Sequence, residues 1–314
     1  MVSRHTYCVY ASALLAACYT ATPQAGSPCD PMADNCPAGQ HCVPSAGGGD
    51  VCSDEFPNDA SIPTDDAPIG FDDTDGDGIL DFLDNCPTIA NPNQENEDFD
   101  PRGDACDECP QHADTVVADA DGDGVGDACD PNPQTPGDSI VFFEGFANGI
   151  PSTWVKNGSW MAAGGTALLI ASGNTVATLV IPTAGSPRQT LSARMTITSF
   201  TQTTGGSLGI VDKFDDVGNS GVHCGGGRSG TTELFALIDA GTGNFLQMVN
   251  REMKTGTTYD LALRRDGNAF DCSDARSPPV TVTVNTAISG GTNVGLRSRN
   301  ASATFEWVML VKSP

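Results

Sequence analysis

The residues here whose types and spacing could do chemistry are aspartates set at alternate positions. Asp73, Asp75 and Asp77 lead into Gly78, Ile79, Asp81 and Asp84, and Asp119, Asp121 and Asp123 lead into Gly124, Val125, Asp127 and Asp130. A variant copy lies between them: Asn96, Asp98, Asp100, Asp104 and Asp107, with Pro101 and Arg102 where the other copies have a glycine and an apolar residue. This chemistry is the capture of a hard cation. Such an ion takes about six to eight oxygens at about 2.3–2.6 Å, and alternate carboxylates on a tightly curled loop supply them. Glycine permits the sharp turn. The residue after it, Ile79 or Val125, offers a backbone carbonyl, and the closing acid completes the cage. Calcium is the expected ion, and the middle site is expected to be weaker or differently built.

The copies begin at 73, 96 and 119 and close at 84, 107 and 130, so a fixed step runs through the acids; the cysteines keep it, Cys86 to Cys109 and Cys106 to Cys129. A fixed period marks an array of stacked units. Acid-rich linkers that stay disordered do not hold such a phase. Pro87 and Pro110 follow the closing acids and would stop an exiting helix, so these are bare loops and not EF-hands.

The stretches DTDGDGILDFLDNCP (73–87), NPNQ with the GDACD run (91–107) and DADGDGVGDACD (119–130) together resemble the thrombospondin type 3 repeat. The resemblance implies a chain wrapped around a string of calcium ions with little other core. It also implies Cys86–Cys106 and Cys109–Cys129 disulfides. Pro101 and Arg102 depart from the family pattern.

Charge follows the same division. Residues 54–138 hold 25 acids against one base, Arg102, whereas 139–314 hold 12 acids and 13 bases, in a chain of 314 residues with net charge −25. No basic patch stands out to neutralise phosphates, which argues against nucleic acid as a partner. Without metal the acidic stretch repels itself over a Debye length of about 8 Å, so ion binding and ordering are expected to be one event.

The elements that must position this array follow in chain order. Residues 1–18 read as an export signal: Arg4 gives a positive start, and the apolar run is too short to span a bilayer. Leu15-Ala16-Ala17-Cys18 resembles the lipobox of bacterial lipoproteins, which implies lipidation at Cys18 and a protein held at the outer membrane or cell surface. Residues 19–28 form a tether. Residues 29–52 are a small module with almost no apolar residues, held by Cys29, Cys36, Cys42 and Cys52; of the three pairings, 29–42 with 36–52 is one guess. Residues 53–71 are linker and 72–133 the calcium loops. An even cysteine count outside the leader points to an oxidising compartment.

Residues 139–314 change character. Short runs of alternating apolar residues, separated by Gly, Asn, Asp and Ser, predict an antiparallel β-sandwich, and the protein is expected to be mainly β with irregular loops before it. The opening FFEGFANGIPSTWVKNGSW and closing VGLRSRNASATFEWVMLV resemble concanavalin A-like and laminin-G jelly rolls, in which the first and last strands often pair. Cys224 and Cys272 are expected to form a disulfide pinning neighbouring strands or loops.

Catalysis is not expected. Glycosidases need two carboxylates flanking the bond, and Glu233, Glu252 and Glu306 stand alone. Ser207 lies in a G-x-S-x-G string with Asp212, Asp215 and His223 as conceivable partners, but it opens a strand with no helix following. Trp154, Trp160, Tyr259 and Trp307 are candidates for sugar stacking, with core burial as the plainer reading for Trp160 and Trp307. The expected protein is a calcium-binding surface lipoprotein, a stiffened spacer presenting a lectin-like domain for glycan recognition or adhesion. Its alternatives are a structural or protein-binding component of the cell envelope, and the carbohydrate-binding part of a hydrolytic system.

Overall fold

The structure, a computed structural model, describes residues 7–8, 18–19, 41–44, 50–53, 72–114, 118–170, 176–200, 206–215, 220–229, 232–276 and 278–314. The chain divides into two compact units, Met1–Gly70 and Phe71–Pro314. In the first unit, β1 (Tyr7–Cys8) pairs with β2 (Cys18–Tyr19), and β3 (His41–Pro44) pairs with β4 (Asp50–Ser53), both antiparallel. Cys29 and Cys36 lie outside the described residues, and of Cys18 and Cys42 the backbone alone is described, so lipidation and the pairing of these cysteines stay expectations; Cys52 is buried and disulfide-bonded.

The second unit opens with the acidic loops, 72–138. The strands then follow: β5 (Ser139–Glu144), β6 (Val155–Asn157), β7 (Ser159–Ala162), β8 (Ala167–Ile170), β9 (Val176–Ile181), β10 (Arg188–Phe200) and β11 (Gly206–Asp215). After these come β12 (Ser220–Ser229), β13 (Thr232–Asp239), β14 (Phe245–Asn250), β15 (Thr258–Asp266), β16 (Ala269–Asp274), β17 (Val280–Asn285), β18 (Asn293–Arg299) and β19 (Ala301–Lys312). They form two antiparallel sheets, one ordered β17-β16-β15-β10-β19-β8-β7 with β5 also on β19, the other ordered β14-β13-β12-β11-β18-β9-β6. No helix occurs among the described residues. The first and last strands of the sandwich pair, Val308 opposite Glu144 and Lys312 opposite Ser139.

Alternation builds the core. On β10, Leu191, Ala193, Met195 and Ile197 face inward, against Leu208, Ile210, Phe235, Leu237 and Leu296 of the other sheet. Trp160 and Tyr259 belong to this core, with Trp154 packed against it edge-on to Phe142 and Phe146. Burying such side chains contributes about 1.5–3 kcal/mol each. The Cys224–Cys272 disulfide forms as expected, but it does not pin neighbours: it ties β12 of one sheet to β16 of the other through the core. The alternating pattern continues through both strands and turns both cysteines inward.

Trp307 is buried elsewhere. It joins Met309, Val311 and Val125 in a second apolar cluster on the outer face of the larger sheet. Val125 is the loop residue expected to give a carbonyl to calcium; its side chain docks the loops onto the sandwich. The expected spacer is therefore packed within the same compact unit as the sandwich. Arg264 of β15 donates to Asn132 Oδ1 at 2.7 Å, and Asn132 donates to Ser313 Oγ at 3.1 Å, which fastens the end of the array to the ends of β15 and β19.

Candidate metal centre

The loops curl as their spacing requires. Gly76, Gly78, Gly122 and Gly124 all have positive φ, where an L side chain is strained. Asp73 Oδ1 accepts from the Gly76 backbone N–H at 2.8 Å, and Asp119 Oδ1 from Gly122 at 2.7 Å. The acid five positions into each loop accepts a backbone N–H fourteen residues downstream: Asn91 to Asp77, Asp114 to Asp100 and Gly137 to Asp123. These bonds fold each connecting segment back over its loop. The Cys86–Cys106 and Cys109–Cys129 disulfides, each spanning 20 residues, staple one copy to the next.

Four groups of three carboxylates gather, and the fourth draws in Asp138 from the segment that leads into the sandwich. Asp73, Asp75 and Asp77 bring carboxylate oxygens within 4.8 Å of one another, and so do Asp98, Asp100 and Asp107; Asp119, Asp121 and Asp123; and Asp123, Asp130 and Asp138. The oxygens that have no hydrogen-bond partner include Asp75 Oδ2, Asp84 Oδ2, Asp98 Oδ2, Asp107 Oδ2, both of Asp121, and Asp130 Oδ2, all buried. A buried carboxylate oxygen left without a donor is costly. The repetition of this at equivalent positions fits an all-oxygen site for a hard dication. Residues of the first and third copies fit calcium; Asp73, Asp75, Asp77 and Asp84 would hold it in one, and Asp119, Asp121, Asp123 and Asp130 in the other.

Protonation reports the same deficit. Burial, then the neighbouring carboxylates, pushes Asp130 up to about 7, and a hydrogen bond joins it to Asp138. Burial works to raise Asp138 also, but hydrogen bonds from Asp130, Ser313 and Asn132 hold it below its ordinary value. Burial likewise raises Asp98 and Asp107.

Not every predicted ligand joins a cluster. Asp81, Asp104 and Asp127, at the same position of the three copies, instead clasp the loop shut: their Oδ1 atoms accept from the backbone of Thr74 at 2.7 Å, Glu97 at 2.8 Å and Ala120 at 2.9 Å. Asn96 likewise spends its side chain on the loop, accepting from Phe99 N and donating to the Asp100 carbonyl. The middle copy is differently built, as its sequence implied. The Arg102 guanidinium lies 3.0 Å from Asp114, 3.6 Å from Asp107 and 3.7 Å from Asp100, so a fixed cation of the chain sits beside that cluster.

Asp138 is the residue missed in the sequence. It lies outside the period of the three closing acids, although the phase of Asn91, Asp114 and Gly137 was a signal that this segment returns to Asp123.

The other candidate side chains on the sandwich are engaged with neighbours. Ser207 Oγ accepts from Arg297 at 3.2 Å, and His223 Nδ1 faces the same guanidinium at 3.5 Å. Burial, then Arg297, pushes His223 down to about 3. Asp212 turns instead to Arg265 at 3.3 Å and to Gln189 at 2.8 Å. Glu233 pairs with Arg228 at 2.6 Å and Glu252 with Lys254 at 2.9 Å.

No curated protein matches this chain. Among solved structures, the carbohydrate binding module CBM66 from Bacillus subtilis aligns at 15% identity over 49% of this chain and 92% of its own, with a TM-score of 0.39. A beta-1,3-glucanase from Mycobacterium marinum aligns at 12% identity over 55% and 98%, with a TM-score of 0.40. Peanut lectin aligns at 11% identity over 56% and 98%, with a TM-score of 0.43. The family description "Thrombospondin type 3 repeat" matches residues 72–94 and 118–138, leaving out the copy that carries Pro101 and Arg102. This chain therefore carries thrombospondin type 3 repeats at those residues, followed by a jelly-roll β-sandwich.

Proposed function

We propose that this protein is a calcium-binding, non-catalytic recognition protein of the bacterial cell surface, anchored by lipid at Cys18, whose repeats and sandwich act together to bind glycans. The observation that carries the calcium part is the set of buried, unpartnered carboxylate oxygens at matching positions of the first and third copies. Calcium would supply the positive charge that these buried carboxylates lack. Its role is to order: the ion fixes the loops, and the loops fix the surface they form against the sheet.

The glycan part is supported by what that seam offers. A rigid sheet presents Arg194, Glu306 and Trp307 beside residues of the second loop, an aromatic and polar lining of the kind that orients sugar hydroxyls. The non-catalytic part is supported by the engagement of Glu233, Glu252, Ser207 and His223 in ion pairs and buried hydrogen bonds. A protein-binding role in the envelope is the second reading, favoured by Phe82 and Leu83, which are 58% and 66% exposed on the first loop.

The test is calcium titration by calorimetry on the whole chain, followed by a glycan array with calcium and with chelator. Calcium uptake with capture of a defined glycan, lost in chelator, is the expected result. Capture indifferent to chelator would remove the ordering role of calcium. A blank array from folded, calcium-loaded protein would leave the protein-binding reading.

A further inference from the structure

We infer that the cleft between the second loop and β19 is the glycan site, and that it takes a neutral sugar unit stacked on Phe99; this rests on the glycan reading above. The cleft holds about 410 Å³ and is lined by Glu97, Phe99, Gln111 and His112 from the loops and by Arg194, Glu306 and Trp307 from the sheet. Its volume lies in the range of small-molecule sites, about 300–1,000 Å³.

Three observations point there. The first is Phe99. In the sister loops this position is Gly76 and Gly122, with φ of 77° and 78°; Phe99 keeps that conformation at 62° and is 90% exposed. A phenylalanine in the left-handed region is strained, and this one recovers nothing by burial. Strain at an exposed aromatic on a cleft rim is a mark of use. Its free face offers the flat apolar surface that the C–H side of a pyranose covers.

The second is a bulge in β19. Arg194 is opposite Trp307 and Met195 opposite Phe305, so Glu306 is the extra residue. Phe305 and Val308 both point into the core. The bulge thereby turns the adjacent pair Glu306 and Trp307 to the same outer face. Bulges commonly re-aim side chains in this way next to functional sites.

The third is polar groups without partners. Trp307 is 5% exposed, and its Nε1 has no acceptor; Gln111 Oε1 is buried with no donor. A donor and an acceptor of this kind suit hydroxyl groups. Arg194, the arginine of the lining, is taken up by Asp260 at 2.6 Å, which leaves Asp98 and Glu306 as carboxylates of the cleft and disfavours an anionic sugar. A neutral ligand asks for no net charge from such a site.

The experiment uses the whole calcium-loaded chain on an array of immobilised neutral oligosaccharides, with Phe99→Gly and Glu306→Gln beside it. Glycine restores what the sister loops carry, so Phe99→Gly is expected to unfold at the same temperature or higher. Loss of one stacking face should weaken capture about tenfold, and Glu306→Gln should weaken it less. Capture by the parent that Phe99→Gly leaves intact would overturn the cleft while leaving glycan recognition standing. A parent that captures no oligosaccharide would overturn both. Capture of peptides alone, lost in Phe99→Gly, would overturn the sugar assignment.

Discussion

At the scale of single residues, Arg102 shows how one substitution changes what a repeat does. The first and third copies place Ile79 and Val125 at its position, and there the acids face one another without a cation of the chain. In the middle copy the guanidinium lies within 4 Å of Asp100, Asp107 and Asp114. The chain thus builds in part of the charge that calcium would supply in the other copies. Arg102→Ala should destabilise the calcium-free protein by about 1–3 kcal/mol, because it leaves buried carboxylates facing one another. In calcium it should raise the calorimetric stoichiometry by one ion. Unchanged stoichiometry together with unchanged stability would show that Arg102 has no part in this charge balance. Glu144 is a second case. Burial pushes it up to about 7, so the folded protein binds a proton that the unfolded chain has released. Stability should then fall as pH rises from about 4.5 to about 7 and be flat above. Glu144→Gln should remove that slope and gain about 1–2 kcal/mol at pH 8 after solvent screening is allowed for. Denaturant titrations of calcium-free protein at several pH values read this directly.

At the scale of elements, docking is the decisive interaction, and Val125 carries it. Its side chain is fully buried against Trp307, Met309 and Val311. Val125→Ala should cost about 1–3 kcal/mol through lost transfer energy and a small cavity, and should expose residues 119–138 to protease even in calcium. Resistance equal to that of the parent would mean that Asn132 and Arg264 suffice to hold the array. Much of this architecture could be read in the sequence. The step in the acids and cysteines gave the loops, and the resemblance they carry gave both repeat disulfides. The alternation of Leu191, Ala193, Met195 and Ile197 gave β10. What could not be read has physical reasons. β12 carries no alternating signal, because Gly225, Gly226 and Gly227 lack side chains to alternate; a Cβ on Gly225 would strike the Leu208 carbonyl oxygen, so the strand needs glycine for close approach. β16 carries a weak one, because its pattern mixes Asp and Ser with Phe270 and Cys272. The docking itself, and the turning of Glu306 and Trp307 to one face, depend on a bulge that local periodicity does not encode. In the metal clusters the alternate acids were legible, but Asp138 was not, since it comes from the segment that joins loop to strand.

At the scale of the whole second unit, the grip of the sandwich on the array is uneven, and this fixes the order in which it should come apart. The third copy is held by Val125, by Asn132 to Ser313, and by Arg264 to Asn132. The middle copy is held by Asn148, which donates to Glu95. The first copy leaves Phe82 and Leu83 exposed, and its Ile79, at the position of Val125, is half-buried where Val125 is fully buried. Its order would therefore depend on the Cys86–Cys106 staple and on the calcium we propose that it binds. A ligand that binds only the folded state stabilises what it touches by mass action, so removing calcium should release the least anchored copy first. Hydrogen exchange after chelation should rise in residues 72–84 well before 119–138, with β10 and β19 unchanged. Uniform release of all three copies would mean that the array opens as one body with its interface to the sheet. If no segment changes, calcium is not what orders it, and the unpartnered carboxylates are satisfied by protons alone.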